Sequence, residues 1–593
     1  MAELGSCNTS KMALTVPCVA IRGSTGISVS YGPPSYEVVS SFKKDDSRAC
    51  KAMAYSPQGK FLAWANGTNI KIISCQTWQL IAEIPKPKVL ALAFSPQDTY
   101  LMSWEPFIVN DANPQGNPNL NLWNPLTGAF VKGFVHKKQT DWEPLWTDDE
   151  KVCGMLVNND VVLYENDFTT VAHKMNVGKI AKFSIAPGRE PYHICCHLPG
   201  KSGQPSFGSM FQYPKFKAPE HKPVATKSFY HDDRINFYWN KQGSNMLLLA
   251  STEVDKTGAS YYGKQTLLFY GTKCQPNLVA LSKEGPIHAV QWSPKSTEFI
   301  VIYGSMPSKA TLFNLKCEPI FEFGTKHRNA ILYNPHGNIV ILTGTGNLRG
   351  DIELWDTKKH KLIATTESPD TTLMEWSPDG EHYMTATTAP RLRVSNGFNI
   401  FHYTGTLLFE RPWNKQEELW EVQWQKFPAG TFKENVINYT TVEGIAPSRP
   451  TASKEAYRPP SARNSARTAF SLYDDVDDKK PTKQTIPNKP SKNAKKRERK
   501  QIKKQEQAAA LGENVSVNGQ SATPSAKSTN STPNPEPTDD PEKNKAIKKI
   551  RTKLDQIAKL KEQQNSGKKL EINQLDKIKK EAELIKEMEE LML

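Results

Sequence analysis

A short unit that recurs about every 40 residues limits the folds open to this chain more than any other feature of its sequence. The unit is an apolar strand that ends in an aromatic residue, a turn of the Ser-Pro-x-Gly type, and a second apolar strand. Proline presets φ at the first central position of such a turn, and glycine accepts the positive φ that other residues resist. The clear copies are Tyr55-Ser56-Pro57-Gln58-Gly59, Phe94-Ser95-Pro96-Gln97-Asp98, Trp292-Ser293-Pro294-Lys295 and Trp376-Ser377-Pro378-Asp379-Gly380, and Tyr333-Asn334-Pro335-His336-Gly337 is a near copy.

Weaker copies of the unit raise the number of turns to nine, with gaps of about 39 to 54 residues. They lie at residues 146–149, 183–188, 239–243 and 424–430. The first full unit predicts four strands, at residues 51–55, 61–65, 70–74 and 80–84. Four strands in about 40 residues is the spacing of a propeller blade. We therefore predict a mainly β fold, a WD-repeat-like β-propeller over residues 1–440. It has nine blades, or seven or eight if the weaker copies are insertions.

Residues 12–29 precede the first turn and are apolar enough to supply strands. We expect these strands to close the ring against the last blade, because pairing there would hide two sheet edges. No apolar stretch reaches about 18 residues, so we expect no membrane-spanning helix. The nine cysteines are scattered without a C-x-x-C pair. Reduced thiols in a cytosolic or nuclear protein fit that pattern better than a disulfide framework.

Charge and aromatic residues separate the body of the chain from its C-terminal part. The formal net charge is +15, and residues 443–593 supply +10 of it, from 32 basic and 22 acidic residues. All 13 tryptophans lie before residue 425. Residues 441–540 are rich in Pro, Ser, Asn, Thr and Lys, and cannot bury enough apolar surface to offset the entropy of ordering. We predict a disordered basic linker there.

Within this linker lies a dense basic run with a single acidic residue, Glu498. Such a run attracts phosphates in a salt-dependent and largely sequence-independent way, through counterion release. We therefore predict contact with RNA or a ribosome, and the alternative is a solvated linker or a localisation signal. The basic residues are Lys492, Lys495, Lys496, Arg497, Arg499, Lys500, Lys503 and Lys504.

The last segment, residues 541–593, has the apolar periodicity of a helical pair. Apolar residues recur at spacings of three and four on each side of Asn565-Ser566-Gly567, which is a helix stop signal. A pair this small is marginal alone, so we expect its apolar face to dock on a partner; a self-associating coiled coil is the alternative. The residues assigned to this face are Ile547, Ile550, Leu554, Ile557, Leu575, Ile578 and Ile585.

No catalytic, metal or cofactor site stands out in the sequence. Gly200-Lys201-Ser202 could end a phosphate loop, but that pattern needs glycine at position 195, which is Cys195. His193, Cys195, Cys196 and His197 have the composition of a metal site, yet side-chain alternation along a strand would split them between two faces. The residues therefore favour binding and assembly over catalysis, and we predict no enzyme activity, no cofactor and no metal.

One part of the body resembles a known family. The segment Leu342-Thr343-Gly344-Thr345-Gly346-Asn347-Leu348-Arg349-Gly350-Asp351-Ile352-Glu353-Leu354-Trp355-Asp356, followed by Met374-Glu375-Trp376-Ser377-Pro378-Asp379-Gly380, is similar to the eukaryotic translation initiation factor 2A family. Trp413, Trp420 and Trp424, the basic linker and the terminal helices fit the same resemblance.

The resemblance implies a nine-bladed propeller and a role early in translation initiation. It implies binding to the small (40S) ribosomal subunit and codon-dependent, GTP-independent recruitment of initiator methionyl-tRNA on a subset of mRNAs. The partners it implies are the 40S subunit, this tRNA and mRNA, and other initiation factors are further candidates. We expect no membrane partner, and we expect the protein to act in the cytoplasm. The competing hypothesis is a generic WD-repeat scaffold for protein complexes, whose basic tail is a tether or localisation signal.

Overall fold

The computed structural model describes residues 16–109, 114, 116–201, 204–216, 222–230, 233–252 and 263–448, and seven positions beyond them. By contacts the chain divides into two compact units, Met1–Arg463 and Asn464–Leu593. The described part of the first unit contains 35 strands in nine antiparallel sheets. This count confirms the prediction of a nine-bladed propeller.

The strands are numbered in chain order. The first eighteen are β1 (Cys18–Gly23), β2 (Gly26–Tyr31), β3 (Ala52–Tyr55), β4 (Phe61–Ala65), β5 (Asn69–Ser74), β6 (Leu80–Pro85), β7 (Ala91–Phe94), β8 (Leu101–Trp104), β9 (Leu120–Trp123), β10 (Phe130–Phe134), β11 (Leu145–Trp146), β12 (Val152–Val157), β13 (Asp160–Glu165), β14 (His173–Met175), β15 (Lys182–Ile185), β16 (His193–Leu198), β17 (Ser206–Gln212) and β18 (Ala225–Phe229). The remainder are β19 (Arg234–Trp239), β20 (Asn245–Ser251), β21 (Gln265–Gly271), β22 (Cys274–Leu278), β23 (Ile287–Trp292), β24 (Glu298–Tyr303), β25 (Ser308–Asn314), β26 (Pro319–Lys326), β27 (Ala330–Tyr333), β28 (Ile339–Thr343), β29 (Asp351–Asp356), β30 (Lys361–Glu367), β31 (Leu373–Trp376), β32 (His382–Thr387), β33 (Gly397–His402), β34 (Leu407–Pro412) and β35 (Leu419–Trp424).

Eight blades are consecutive groups of four strands, from β3–β6 as blade 1 to β31–β34 as blade 8. The strands of blade 1 lie within one residue of the four predicted ones. In each of these blades the first strand is innermost and the fourth lies at the outer edge. The second strands are buried on both faces, as in β4 and β28, whereas the outer strand β30 is largely exposed.

The ninth blade closes the ring with strands from both ends of the propeller. Strand β1 pairs with β2 on one side and with the inner strand β35 on the other, with Val19 opposite Trp424. This confirms the predicted closure, with strands that lie within residues 18–31; residues 12–15 of the predicted segment lie outside the described residues. The weak turn predicted near residue 427 differs from the others, because within residues 425–448 no further strand follows it. The place beside β35 is taken by β1.

The core lies between blades rather than in a single centre. One cluster joins Phe61 and Ile72 of blade 1 to Phe94 of blade 2. Another joins Met384 of blade 8 to Ile21 and Val422 of the closing blade. Each blade therefore buries its two faces only when both neighbours are present, which makes the ring a cooperative unit.

The seven described positions of the second unit are all helical. They are Ile550, Leu554, Ile557, Ala558, Lys561, Glu581 and Ile585. Ile550 and Ile557 are buried, Leu554 is half-buried and Ile585 is exposed. Lys561 forms an ion pair with Glu581. The rest of the predicted helical pair lies outside the described residues, so the pair stays a prediction.

Candidate interaction surfaces

The turns that follow the first strand of each blade interlock around one face of the ring, which we call the turn face. Asp98 stands where two of the other clear repeats have glycine and the third has Ser296, and it adopts a left-handed φ of 67°. Its carboxylate accepts hydrogen bonds from Ser56 Oγ at 2.7 Å and from the backbone N–H of Gln58 at 2.9 Å, both in the turn of blade 1. Gly59 of that turn must lack a side chain, since a Cβ there would lie 1.9 Å from the Lys426 carbonyl oxygen.

The same kind of contact recurs between other blades. The Gln97 N–H of blade 2 donates to Glu150 Oε1 of blade 3 at 2.6 Å. The Gly188 N–H of blade 4 donates to Asp148 Oδ2 of blade 3 at 2.8 Å, and Asn334 Nδ2 of blade 7 donates to the Gly380 carbonyl of blade 8 at 3.1 Å. These contacts make the turn face a rigid platform, because each turn is held by a neighbouring blade.

Aromatic side chains at the ends of the inner strands surround the mouth of the central channel on the turn face. Each of three indoles donates its Nε1–H to the blade before it: Trp239 to Ser184 Oγ at 3.0 Å, Trp292 to the Tyr238 carbonyl at 2.8 Å, and Trp376 to the Leu332 carbonyl at 3.1 Å. A cavity of about 940 Å³ lies at this mouth. Its lining includes Tyr55, Trp239, Trp292, Pro294, Trp376 and Phe427.

Residues 425–448 leave the last inner strand and form an arm over the turn face. The start of the arm is held by Glu375 of blade 8, which accepts the Trp424 N–H at 3.0 Å and forms an ion pair with Lys426. Farther along, the Asn435 carbonyl accepts a hydrogen bond from Asn338 Nδ2 at 3.1 Å. The arm then reaches the outer edge of blade 8, where the Ile445 N–H donates to the Leu407 carbonyl at 2.8 Å.

Tyr439 fixes the middle of the arm to blade 7. Its hydroxyl donates to Asp356 Oδ2 at 2.6 Å, and the ammonium groups of Lys361 and Lys359 lie 4.3 Å and 5.2 Å from its ring centre. Desolvation, followed by the hydrogen bond and charge of Asp356, raises the pKa of Tyr439 to about 12. The phenol therefore stays protonated and remains a donor over the physiological range.

A titratable cluster lies in blade 8 beside the arm. His382 Nδ1 lies 2.9 Å from Asp379 Oδ2, and the His382 and His402 rings are 5.7 Å apart. Burial favours a raised pKa for Asp379, but hydrogen bonds from His382 outweigh it and hold the pKa below its ordinary value. Burial and the neighbouring His382 lower the pKa of His402 to about 4.

Most of the residues that the sequence predicts for RNA or partner contact lie outside the described residues. This holds for the whole basic run, and for Ile547, Leu575 and Ile578. The contact predictions for these residues, and for the helical residues already placed, stay predictions. The basic run comprises Lys492, Lys495, Lys496, Arg497, Arg499, Lys500, Lys503 and Lys504.

The adjacent cysteines of strand β16 point into two different interfaces between blades, as the alternation of side chains along a strand predicts. Cys195 packs in a cluster with Met246 of blade 5, whereas Cys196 packs with Val152 of blade 3. Burial raises the pKa of both thiols far above the ordinary value, so neither is a reactive thiolate. Across the described residues, no group of three His, Cys, Asp or Glu side chains has the arrangement to hold a metal ion. Nor does any helix among them have the length and apolar character needed to span a bilayer.

Sequence reasoning missed the arm and the channel-mouth cavity. The predicted propeller ended at residue 440, whereas ordered contacts continue to Ser448, whose hydroxyl donates to Glu410 Oε1 at 2.8 Å. The only local signal is a short alternation of apolar and polar residues, Val436-Ile437-Asn438-Tyr439. The cavity has no local signal, because its walls come from blades far apart in sequence.

Comparisons with known proteins find relatives along nearly the whole chain. Residues 227–422 match the family model described as "Eukaryotic translation initiation factor eIF2A". A "Eukaryotic translation initiation factor 2A" of Drosophila melanogaster is 42% identical over 464 residues, covering 76% of this chain and 72% of the relative. One of Caenorhabditis elegans is 31% identical over 586 residues, covering 97% and 99%. A solved structure named "Crystal structure of the eukaryotic initiation factor" superposes with a TM-score of 0.64 at 30% identity, covering 70% of this chain and 100% of that one.

Proposed function

The chain belongs to the eukaryotic translation initiation factor 2A family, and from this membership we propose that it acts early in initiation by binding the small (40S) ribosomal subunit. In this proposal it promotes codon-dependent, GTP-independent recruitment of initiator methionyl-tRNA on a subset of mRNAs. The observation that carries the proposal is the relative matched over 97% of this chain and 99% of its own length. Its partners are the 40S subunit, the tRNA and mRNA, with other initiation factors as further candidates.

The interlocked turns support a role for the propeller as a platform. A ring whose turns are held by neighbouring blades presents its loops at fixed positions, and so loses little conformational freedom on binding. The propeller then positions partners, and the chain performs no chemical step and needs no cofactor. Its place of action is the cytoplasm.

The basic run supplies attraction to ribosomal RNA in this proposal. Each Lys or Arg that neutralises a phosphate releases a counterion, so affinity falls with salt in proportion to the number of contacts. The predicted linker places this run after the propeller arm, which ends at the outer edge of blade 8. The tail thus adds a salt-dependent contact to whatever contact the propeller makes.

Sedimentation with purified 40S subunits tests the role of the run. The full chain is compared with a variant carrying Lys495, Lys496, Arg499 and Lys500 changed to Gln, at several salt concentrations. A matched control changes four lysines of the same linker outside the run: Lys479, Lys480, Lys483 and Lys489. We expect the slope of log affinity against log salt to become shallower by about three in the first variant, at roughly 0.7–0.9 per contact. An equal change in both variants would show that the run has no special role.

A second experiment tests recruitment of the initiator tRNA. The full chain is added to 40S subunits, initiator methionyl-tRNA and an AUG-containing message without GTP. We expect retention of the tRNA above the level without the protein, and none with a message that lacks the codon. Retention that is the same with both messages would contradict codon dependence.

A further inference from the structure

The cavity at the channel mouth is bordered on one side by the arm and open along the opposite wall. Arm residues 427–432 form a turn at its edge, in which Phe427 and Phe432 are half-buried while Pro428 and Gly430 are exposed. Residues 237–239 of blade 5 and Pro294 of blade 6 form another part of the lining, which we call the open wall, and the arm meets blade 6 at the rim, through Lys295. Part of the mouth is therefore occupied by the arm, and the rest is a largely aromatic surface that no other described residue covers.

The arm shows which chemistry this mouth accepts. The rings of Phe427 and Phe432 pack edge to face with centres 5.2 Å apart, on either side of the proline-containing turn. Two residues later, Glu434 forms an ion pair with Lys295 of blade 6 at 3.4 Å. The mouth thus holds an aromatic–proline turn followed by an acidic side chain that reaches a lysine on the rim.

The open wall repeats these features, and none of the described residues occupies it. Phe237, Tyr238 and Trp239 are half-buried, so part of each ring faces the cavity, and Pro294 lies beside them. The exposed Lys241 stands on the rim here, as Lys295 does beside the arm. Among the described residues Lys241 has no ion pair within 4.0 Å, although its charge acts on the Asp148 carboxylate of blade 3 and opposes the rise in the pKa of that group. Aromatic faces and proline rings favour a proline-containing peptide in an extended or turn conformation.

We propose that this wall docks a short segment of a partner protein that carries an aromatic residue and a proline, followed by an acidic residue. This goes beyond the proposed function, because it assigns a protein-binding site to the propeller itself. The aromatic and proline side chains pack on Trp239 and Pro294, and the acidic residue pairs with Lys241. A single-stranded nucleic acid fits less well, because such sites combine stacking platforms with a continuous positive groove, and this wall offers a single lysine, Lys241.

The test uses the full chain and a labelled synthetic peptide that copies residues 425–436, Gln-Lys-Phe-Pro-Ala-Gly-Thr-Phe-Lys-Glu-Asn-Val. Fluorescence anisotropy measures its binding. We expect saturable binding that weakens at least tenfold with Trp239→Ala and at least threefold with Lys241→Glu. Replacing the peptide's glutamate by lysine should restore the affinity of Lys241→Glu. Matched controls outside the mouth, Trp413→Ala and Lys316→Glu, should bind as the unaltered chain does.

Further variants distinguish binding at the open wall from binding in place of the arm, and from a loss of binding caused by misfolding. Trp239→Phe keeps a ring on the wall and should bind within about threefold of the unaltered chain. Thermal unfolding of Trp239→Ala, measured alongside, should show a folded protein at the assay temperature, and a weakening of binding that merely follows unfolding of the variant would overturn the proposal. If the peptide instead displaces the arm, Lys295→Glu will weaken binding and Lys241→Glu will not. That result would overturn the proposal, as would a lack of saturable binding, equal loss in Trp239→Ala and Trp413→Ala, or displacement of the peptide by a 12-nucleotide oligo(U).

Discussion

Asp98 of blade 2 holds the first turn of blade 1 through Ser56, whose Oγ lies 2.7 Å from the Asp98 carboxylate. The same carboxylate also accepts the N–H groups of Gln58 and Lys60, at 2.9 Å and 3.3 Å. Both Asp98 and Ser56 are buried, so these groups cannot exchange their partner for water. One side chain therefore joins two blades at the rim of the channel.

Asp98→Ala should destabilise the propeller by about 2–4 kcal/mol, because it removes a charged acceptor of three hydrogen bonds and leaves the buried Ser56 hydroxyl without this partner. The measurement is the free energy of unfolding from urea denaturation. Asp167→Ala is the control, because that side chain is exposed and its hydrogen bonds are local to Thr169. A loss of stability no larger than that of the control would mean that the contact between Asp98 and blade 1 contributes little to the stability of the propeller.

The buried ion pair of Arg328 and Glu353 supports a second prediction. Arg328 Nη2 lies 2.5 Å from Glu353 Oε2, and the two side chains are 3% and 5% exposed. Glu353→Ala leaves an uncompensated buried guanidinium and should cost about 3–5 kcal/mol. Replacing both partners together, Arg328→Met with Glu353→Leu, should recover most of that loss. Arg349→Ala removes an exposed pair with Glu367 and should change stability by less than about 1 kcal/mol.

Ring closure depends on Trp424, which is fully buried opposite Val19. Trp424→Ala should cost about 3–5 kcal/mol, because it deletes a large side chain from the seam between the two ends of the propeller. Thermal unfolding measures this effect. Trp413→Ala, at a half-buried position, should cost clearly less. Equal losses of stability in the two variants would contradict a special role of Trp424 in ring closure.

His402 should make the propeller sensitive to acid. Its Nδ1 accepts the Thr404 N–H at 3.3 Å, which requires a neutral ring, and its pKa is lowered from 6.5 to about 4. In the unfolded chain His402 binds a proton near pH 6.5, whereas in the folded chain it does so only near pH 4. The contribution of the neutral His402 to the free energy of unfolding is therefore complete above pH 6.5 and is lost progressively as the pH falls towards about 4. His402→Gln should flatten the fall in stability between these values. His327→Gln, at an exposed position, should not. In NMR titration, a His402 midpoint near 6.5 would contradict this mechanism.

Much of the fold follows from local chemistry along the chain. Ser-Pro-x-Gly turns and alternating apolar strands are decided by neighbouring residues, so the strands of blade 1 and the blade count could be predicted from the sequence. The closing strands could also be anticipated, because an open propeller leaves two unpaired sheet edges. The arm could not, since its attachment depends on Tyr439 meeting Asp356, 83 residues away.

The sequence by itself determined a nine-fold repeat of strands and turns, the separation of an aromatic body from a basic tail, and the family resemblance. Only the tertiary structure decided which residues meet across blades. Arg22 pairs with Glu421 across 399 residues at 2.8 Å, and the channel-mouth cavity takes its walls from the arm and from blades far apart in sequence, among them blades 1, 5, 6 and 8. The physical reason is that turns and strand alternation are short-range effects, whereas inter-blade contacts exist only after the ring has closed.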